Sequence, residues 1–307
     1  MARRSKNRKP QAMNISGSIT NSNLDPTEAI VGYNGGRLRV FNGAPSSATL
    51  QFFGAKGPYI EVATRRINIE TPLACAITDF LILADGTRDT IAPSNDTLYF
   101  AYVSAFGDLA LSETAPSNSA TSVGLYLSDA AGGRSWRFVG WVRTGTAVFE
   151  DTDTRRCVSN FENQVPKRLF FCPDYADDNA TTTYDDLSAT WAPLAGVASP
   201  MIAIGGGLLG TVDLELVVSC SAVGAGGAQI GIEAVGISDV RFAGALLANG
   251  VIRTSSCRLV AKFDGEQVVT IEPQFISAAT STFVADNARN GALADPPMTY
   301  LTGWVLG

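Results

Sequence analysis

Histidine is absent from this 307-residue chain. Without imidazole there is no Ser-His-Asp triad, no Cys-His pair and no histidine-ligated zinc. Cysteine is scarce and scattered: Cys75, Cys157, Cys172, Cys220 and Cys257 never come closer than fifteen residues. That spacing excludes a CxxC redox motif and a zinc ribbon. The five read as reduced, mostly buried thiols, with a Cys157–Cys172 disulfide across a hairpin as the alternative. Long apolar runs are missing too, since Met201–Leu209 is broken by glycine and too short to cross a bilayer. The basic start is not followed by an apolar stretch, so no secretory signal is expected. Gly205-Gly206-Gly207 and Gly224-Ala225-Gly226-Gly227 have neither the GK[ST] of a Walker loop nor a following helix, and read as turn or bulge glycines. No cofactor is expected.

Charge is low, at 17% of residues, and unevenly spread. Five of the 23 bases, Arg3, Arg4, Lys6, Arg8 and Lys9, fall within the first nine positions, so the remaining 18 face 29 acids. An acidic body is a poor general nucleic-acid binder. The polar stretch Met1–Asn23 buries too little apolar surface to fold alone and reads as an extended arm. Two readings stand: a frayed, solubilising tail, or, because five bases in nine residues exceed what solubility requires, an arm that docks on an acidic or nucleic-acid-bearing partner.

What the chain has is apolar residues, at 46%, and frequent turns, from 30 glycines and 14 prolines. Strand signals recur every eight to fifteen residues, and no stretch holds a 3.6-residue period long enough for a helix. Arg37–Phe41 alternates after the turn Asn34-Gly35-Gly36. Ala76–Leu83 is a continuous apolar run, which predicts a strand buried on both faces and ended by Asp85-Gly86. Thr97–Ser104 and Asp108–Ser112 flank Phe106-Gly107 as a hairpin. Gly124–Leu127 and Arg137–Val142 flank Ala131-Gly132-Gly133. After Pro200 the pattern restarts: Val212, Leu214, Leu216 and Val218 alternate with Asp213, Glu215 and Val217, and Asp264-Gly265 marks a turn between two further strands. Seven strands in the last hundred or so residues fit a β-sandwich or jelly roll.

The expected fold is therefore all-β, with two β-sandwich or jelly-roll-like domains behind a basic arm. The arm is residues 1–23, the first domain 24–172, an acidic loop or linker 173–199, and the second domain 200–307. The linker carries five aspartates and no base, with Trp191 as an anchor. Calcium is a consideration there. However, Asp174, Asp177, Asp178, Asp185 and Asp186 lack the DxDxDG order of an EF-hand, and a solvated loop is the simpler reading.

Chemistry-bearing candidates are few. Glu150-Asp151-Thr152-Asp153 and Tyr184-Asp185-Asp186 are the dense carboxylate groups, as a glycosidase pair would require, yet nothing in the sequence raises either pKa. Aromatics offer another lead. Trp136, Phe138 and Trp141 lie in SWRFVGWVRT beside Arg134, Arg137 and Arg143, and two readings stand: core packing, or a glycan platform. In a strand, Trp136 and Phe138 share one face, and Arg137 and Val139 the other.

Three segments of this region carry a resemblance. Asp96–Val103 within NDTLYFAYVS, Leu109–Pro116 (LALSETAP) and Trp136–Thr144 (WRFVGWVRT) resemble a β module of tailed-bacteriophage or gene-transfer-agent-like virion proteins of the head-fibre, collar and tail-fibre type. Cys157–Arg168 and the closing TYLTGWVLG resemble the segments that follow in such chains. The Thr144-Gly145-Thr146 turn and the charged residues 150–156 depart from the usual pattern. The resemblance implies a non-enzymatic virion component: a head fibre, spike, collar or tail-fibre-like protein. It would be a closed homo-oligomer, with a trimer favoured, attached to capsid, neck or tail proteins and exposed to host-surface glycans. Assembly in the host cytoplasm without membrane insertion follows. Two alternatives stand beside it: a jelly-roll coat protein of a small icosahedral virus with an RNA-facing arm, and a tailspike-like glycan depolymerase.

Overall fold

The computed structural model describes residues 33–63, 65–118, 125–127, 136–171, 182–186, 192–193, 201–204, 210–222, 228–235, 237–246, 253–263, 267–277, 281–285 and 300–307. Arg3, Arg4, Lys6, Arg8 and Lys9, the two glycine clusters, Trp191 and Cys172 lie outside these residues. Among the described residues the chain is all strand and turn, with one 3-10 turn at Phe41–Gly43 and no α-helix. No helix among the described residues is long and apolar enough to cross a membrane. Residues 31–307 form a single unit.

In the amino-terminal half, the alternation of Arg37–Phe41 becomes the strand Gly36–Val40. It pairs antiparallel with Thr49–Gly54, which pairs in turn with Leu73–Ala76. Leu38, Val40, Leu50 and Phe52 point inward from this three-stranded sheet. They meet one face of a second sheet, in which Leu98–Ser104 lies between Leu109–Ser112 and Trp136–Arg143. The expected hairpin is present, with Val103 opposite Leu109 and Phe100 opposite Ser112. Tyr99, Ala101 and Val103 enter the core shared by the two sheets; Phe100 and Tyr102 enter a separate aromatic cluster on the other side. This second sheet is thus buried on both faces, unlike a half-solvated antiparallel sheet.

The apolar run Ala76–Leu83 does not form one buried strand. The strand ends at Ala76, where the Asp79 carboxylate accepts a hydrogen bond from the Ala76 N–H at 2.6 Å and the Asp79 N–H closes a turn onto the Ala76 carbonyl. A side chain that caps the backbone competes with the ladder and starts a turn. Ile77, Leu81 and Ile82 stay buried while Phe80 and Leu83 face outward.

In the carboxy-terminal half, Gly210–Ala222 pairs with Arg253–Phe263 along one edge and with Tyr300–Leu306 along the other. Its alternation holds where side chains are described: Leu214 and Leu216 are buried, Glu215 is exposed, and Asp213 is held by Arg258 at 2.6 and 2.7 Å. A further sheet places Gln267–Ser277 between Met201–Ile204 and Ala228–Val235, with Ile237–Leu246 beyond. The strands on either side of Asp264-Gly265 therefore belong to different sheets.

Strand pairing also crosses the boundary drawn at residue 172. Pro166–Phe171 pairs with Tyr300–Leu306 over six positions, and Arg155–Arg156 runs parallel to Met201–Ile204. Within the acidic segment, Thr182–Asp186 is a strand paired with Ser281–Ala285 rather than a loop. Asp174, Asp177 and Asp178 lie outside the described residues.

Candidate functional site

The strand Trp136–Arg143 carries both the resemblance and the candidate glycan platform. It pairs with Leu98–Ser104 from Trp136 opposite Ser104 to Arg143 opposite Leu98, with a bulge between Phe138 and Gly140. One extra residue, Val139, shifts the alternation. Trp141 consequently returns to the face of Trp136 and Phe138, while Val139 and Val142 enter the opposite core. The bulge also brings backbones together. A Cβ on Gly140 would lie 2.2 Å from the Ser159 carbonyl oxygen and 2.9 Å from Leu38 Cδ1.

Trp136, Phe138 and Trp141 are 3%, 1% and 3% exposed. As a glycan platform they are corrected by this burial: a sugar needs an open ring face, and these rings stack on protein. Phe138 is the hub, edge-on to Trp141 at 4.7 Å and tilted against Phe161 at 5.3 Å and Tyr102 at 5.6 Å. Such pairs contribute about 0.5–1.5 kcal/mol each beyond their burial. The Trp136 indole N–H donates to the Gly86 carbonyl at 3.2 Å.

The other conspicuous residues of the motif have structural duties as well. Arg137, 1% exposed, donates through Nη1 to the carbonyls of Tyr33 and Glu61 and through Nη2 to both oxygens of Glu162, at 2.8 and 3.2 Å. Burial pushes the Glu162 carboxyl above its usual range, and the Arg137 guanidinium pulls it back. The Arg143 side chain lies 3.6 Å from Asp96. Thr144 donates its hydroxyl to the Ser94 carbonyl at 2.6 Å, and its backbone N–H to the Thr97 carbonyl.

The carboxylates of residues 150–153 are each matched by a base. Glu150 pairs with Arg155 at 2.9 Å, Asp151 with Lys167 at 2.8 Å, and Asp153 with Arg156. Burial lowers the Lys167 pKa and Asp151 opposes that shift. Each of these carboxylates is thus engaged in an ion pair with a nearby base. The other pair, Asp185 and Asp186, lies in the strand Thr182–Asp186. Cys75, Cys157 and Cys257 are free and buried, so Cys157 is a thiol. Burial pushes each of them up to about 12. No group of three potential metal ligands occurs among the described residues.

The sequence did not single out a cleft that lies among the described residues. It opens beside Ala74, Asp79, Phe80, Arg88, Asp108 and Trp136, with a volume of about 280 Å³. Its rim is the segment 80–91, folded back on itself by hydrogen bonds from Leu81 to Ile91 and from Leu83 to Thr87. The signal was present in Asp79 and Asp85-Gly86, two turn formers that divide the apolar run and leave part of it facing water.

No protein-family model and no curated protein matches the sequence. Among solved structures, the chain is similar to one from "Structure of infectious bursal disease virus Gx strain". The likeness has 14% identity, covers 90% of this chain and 68% of that one, and has a TM-score of 0.26. At that score the architecture stands on the strand pairings described above.

Proposed function

We propose that this chain is a non-enzymatic structural component of a virion, a fibre, spike or collar-like protein attached to the particle through its basic arm. The observation that carries the reading is what became of the three resemblance segments. They form adjacent strands of one sheet, and their side chains are spent on two cores and on a buried arginine that ties three segments together. A module whose side chains serve packing rather than chemistry suits a building block. Residues 1–23 would serve as the docking arm, with the carboxy-terminal sheets facing outward to host-surface glycans. A closed homo-oligomer, covering edge strands and exposed apolar patches with neighbours, accords with the low charge of the chain.

Light scattering of the purified protein at low and moderate salt tests this. A discrete small oligomer, a trimer above all, is the expected result. Large shells, or a nucleic-acid-bound species that dissolves with salt, would replace the fibre with a jelly-roll coat protein. Release of sugar from host capsule would make it a depolymerase instead.

A further inference from the structure

Four of the eight large apolar side chains left exposed among the described residues gather around the cleft. Phe80 (51%), Leu83 (45%) and Ile91 (61%) belong to the segment 80–91, and Phe106 (56%) to the turn beside it. Phe80 lines the cleft itself, and Gly107, next to Phe106, lines its other side. Exposed apolar groups collected in one place mark an interaction surface.

Charge identifies what fits there. Asp79, Asp85 and Asp108 are exposed and Asp89 is half-buried, against two bases, Arg88 among them and Arg65, whose guanidinium lies 4.8 Å over the Phe106 ring. Each carboxylate accepts a local hydrogen bond, from the Ala76, Thr87 and Thr90 N–H groups and the Ser104 hydroxyl. None of the four forms an ion pair among the described residues. Two copies of this face match poorly, because carboxylates outnumber bases on it and an excess of like charge would be set opposite itself. The complementary occupant is an extended basic segment, whose Lys and Arg methylenes lie along Phe80, Leu83 and Phe106 while their charged heads reach the aspartates.

The densest basic run of the sequence is Arg3, Arg4, Lys6, Arg8 and Lys9. From Lys9 to Tyr33, where description begins, a chain can span at most about 80 Å, enough to reach a neighbouring molecule. We propose that the Phe80–Ile91/Phe106 face receives the basic amino-terminal run of a second copy of this chain. The inference rests on the docking role given to the arm and names its receptor surface.

The full-length protein is treated with a water-soluble carbodiimide, which joins a lysine amine to a carboxylate as an amide with loss of the activated oxygen as a urea. The covalent dimer is isolated and its linked peptides are mapped by mass spectrometry. Lys6 or Lys9 of one molecule joined to Asp79, Asp85, Asp89 or Asp108 of another is expected. The link should disappear in 1 M salt, where screening shortens from about 10 Å at 0.1 M to about 3 Å. It should weaken severalfold in Phe80→Ser and Phe106→Ser, which keep every carboxylate. Arm lysines linked elsewhere in the dimer, links confined to the monomer, or links indifferent to salt and to both serine variants would overturn the proposal. A discrete oligomer lacking these links would leave the virion role standing and remove only this contact; shells or bound nucleic acid would remove the role itself.

Discussion

At the residue scale, the buried groups have each been given one task. Cys75 reads in sequence as a small hydrophobe within an apolar run, and its side chain sits in the core, 2% exposed. Burial disfavours the thiolate, so Cys75, Cys157 and Cys257 ionise only at about 12, against an ordinary value of 9.0. The linkage follows directly. Between these values the unfolded chain releases protons that the native one keeps, so stability is intact below pH 9 and falls as pH rises, by about 1.4 kcal/mol per pH unit per thiol. Urea midpoints measured from pH 8 to 11 should decline, and a Cys75→Ala/Cys157→Ala/Cys257→Ala variant should decline less. Equal slopes in the two proteins would show that the thiols do not titrate this way. The tryptophans teach the complementary lesson. Alternation assigns Trp136 and Phe138 to one face, but whether that face meets sugar or protein depends on Phe161 and Leu127, which arrive from other segments.

At the element scale, the strand Trp136–Arg143 is where local pattern and packing meet. The turn signals around it are readable because glycine and aspartate set backbone angles locally. The bulge is not readable from apolar periodicity, since Val139, Gly140 and Trp141 permit either register. What fixes it is contact with Val158–Asn160, whose Ser159 carbonyl occupies the space a side chain at 140 would need. Gly140→Ala should therefore destabilise the protein by about 1–3 kcal/mol or more, as overpacking against backbone does. Denaturant unfolding checks this, and a variant of unchanged midpoint would show that the two strands can separate at no cost. The run Ala76–Leu83 failed as a strand for a related reason. Hydrophobicity alone predicted burial, whereas the Asp79 carboxylate bound to the Ala76 N–H turns the chain and leaves Phe80 outside.

At the scale of the molecule, the last strand matters most. Tyr300–Leu306 lies between Pro166–Phe171 and Gly210–Ala222, and the Val165 and Gly307 backbones exchange hydrogen bonds at 2.9 and 3.1 Å. It also buries Leu301 and Val305, worth about 1.5–3 kcal/mol each. Removing residues 300–307 also exposes two strand edges, and the sum rivals a whole stability margin of about 5–15 kcal/mol. The truncated chain should lose its cooperative calorimetric transition and aggregate through the opened edges. A truncated protein that melts like the full chain would mean that the strand is an ornament.

The sequence by itself determined the fold class, the hairpin Leu98–Ser104 with Leu109–Ser112, the alternating face of Gly210–Ala222 and the absence of imidazole chemistry. All of these depend on residue type and on spacing within one short segment. Tertiary structure decided the rest. It buried Trp136, Phe138 and Trp141, matched Glu150, Asp151 and Asp153 with bases, joined residues 166–171 to 300–306, and opened the acidic, apolar-rimmed cleft. Each of those outcomes depends on which distant segment arrives opposite, and non-local pairing leaves no periodicity in the segments it joins.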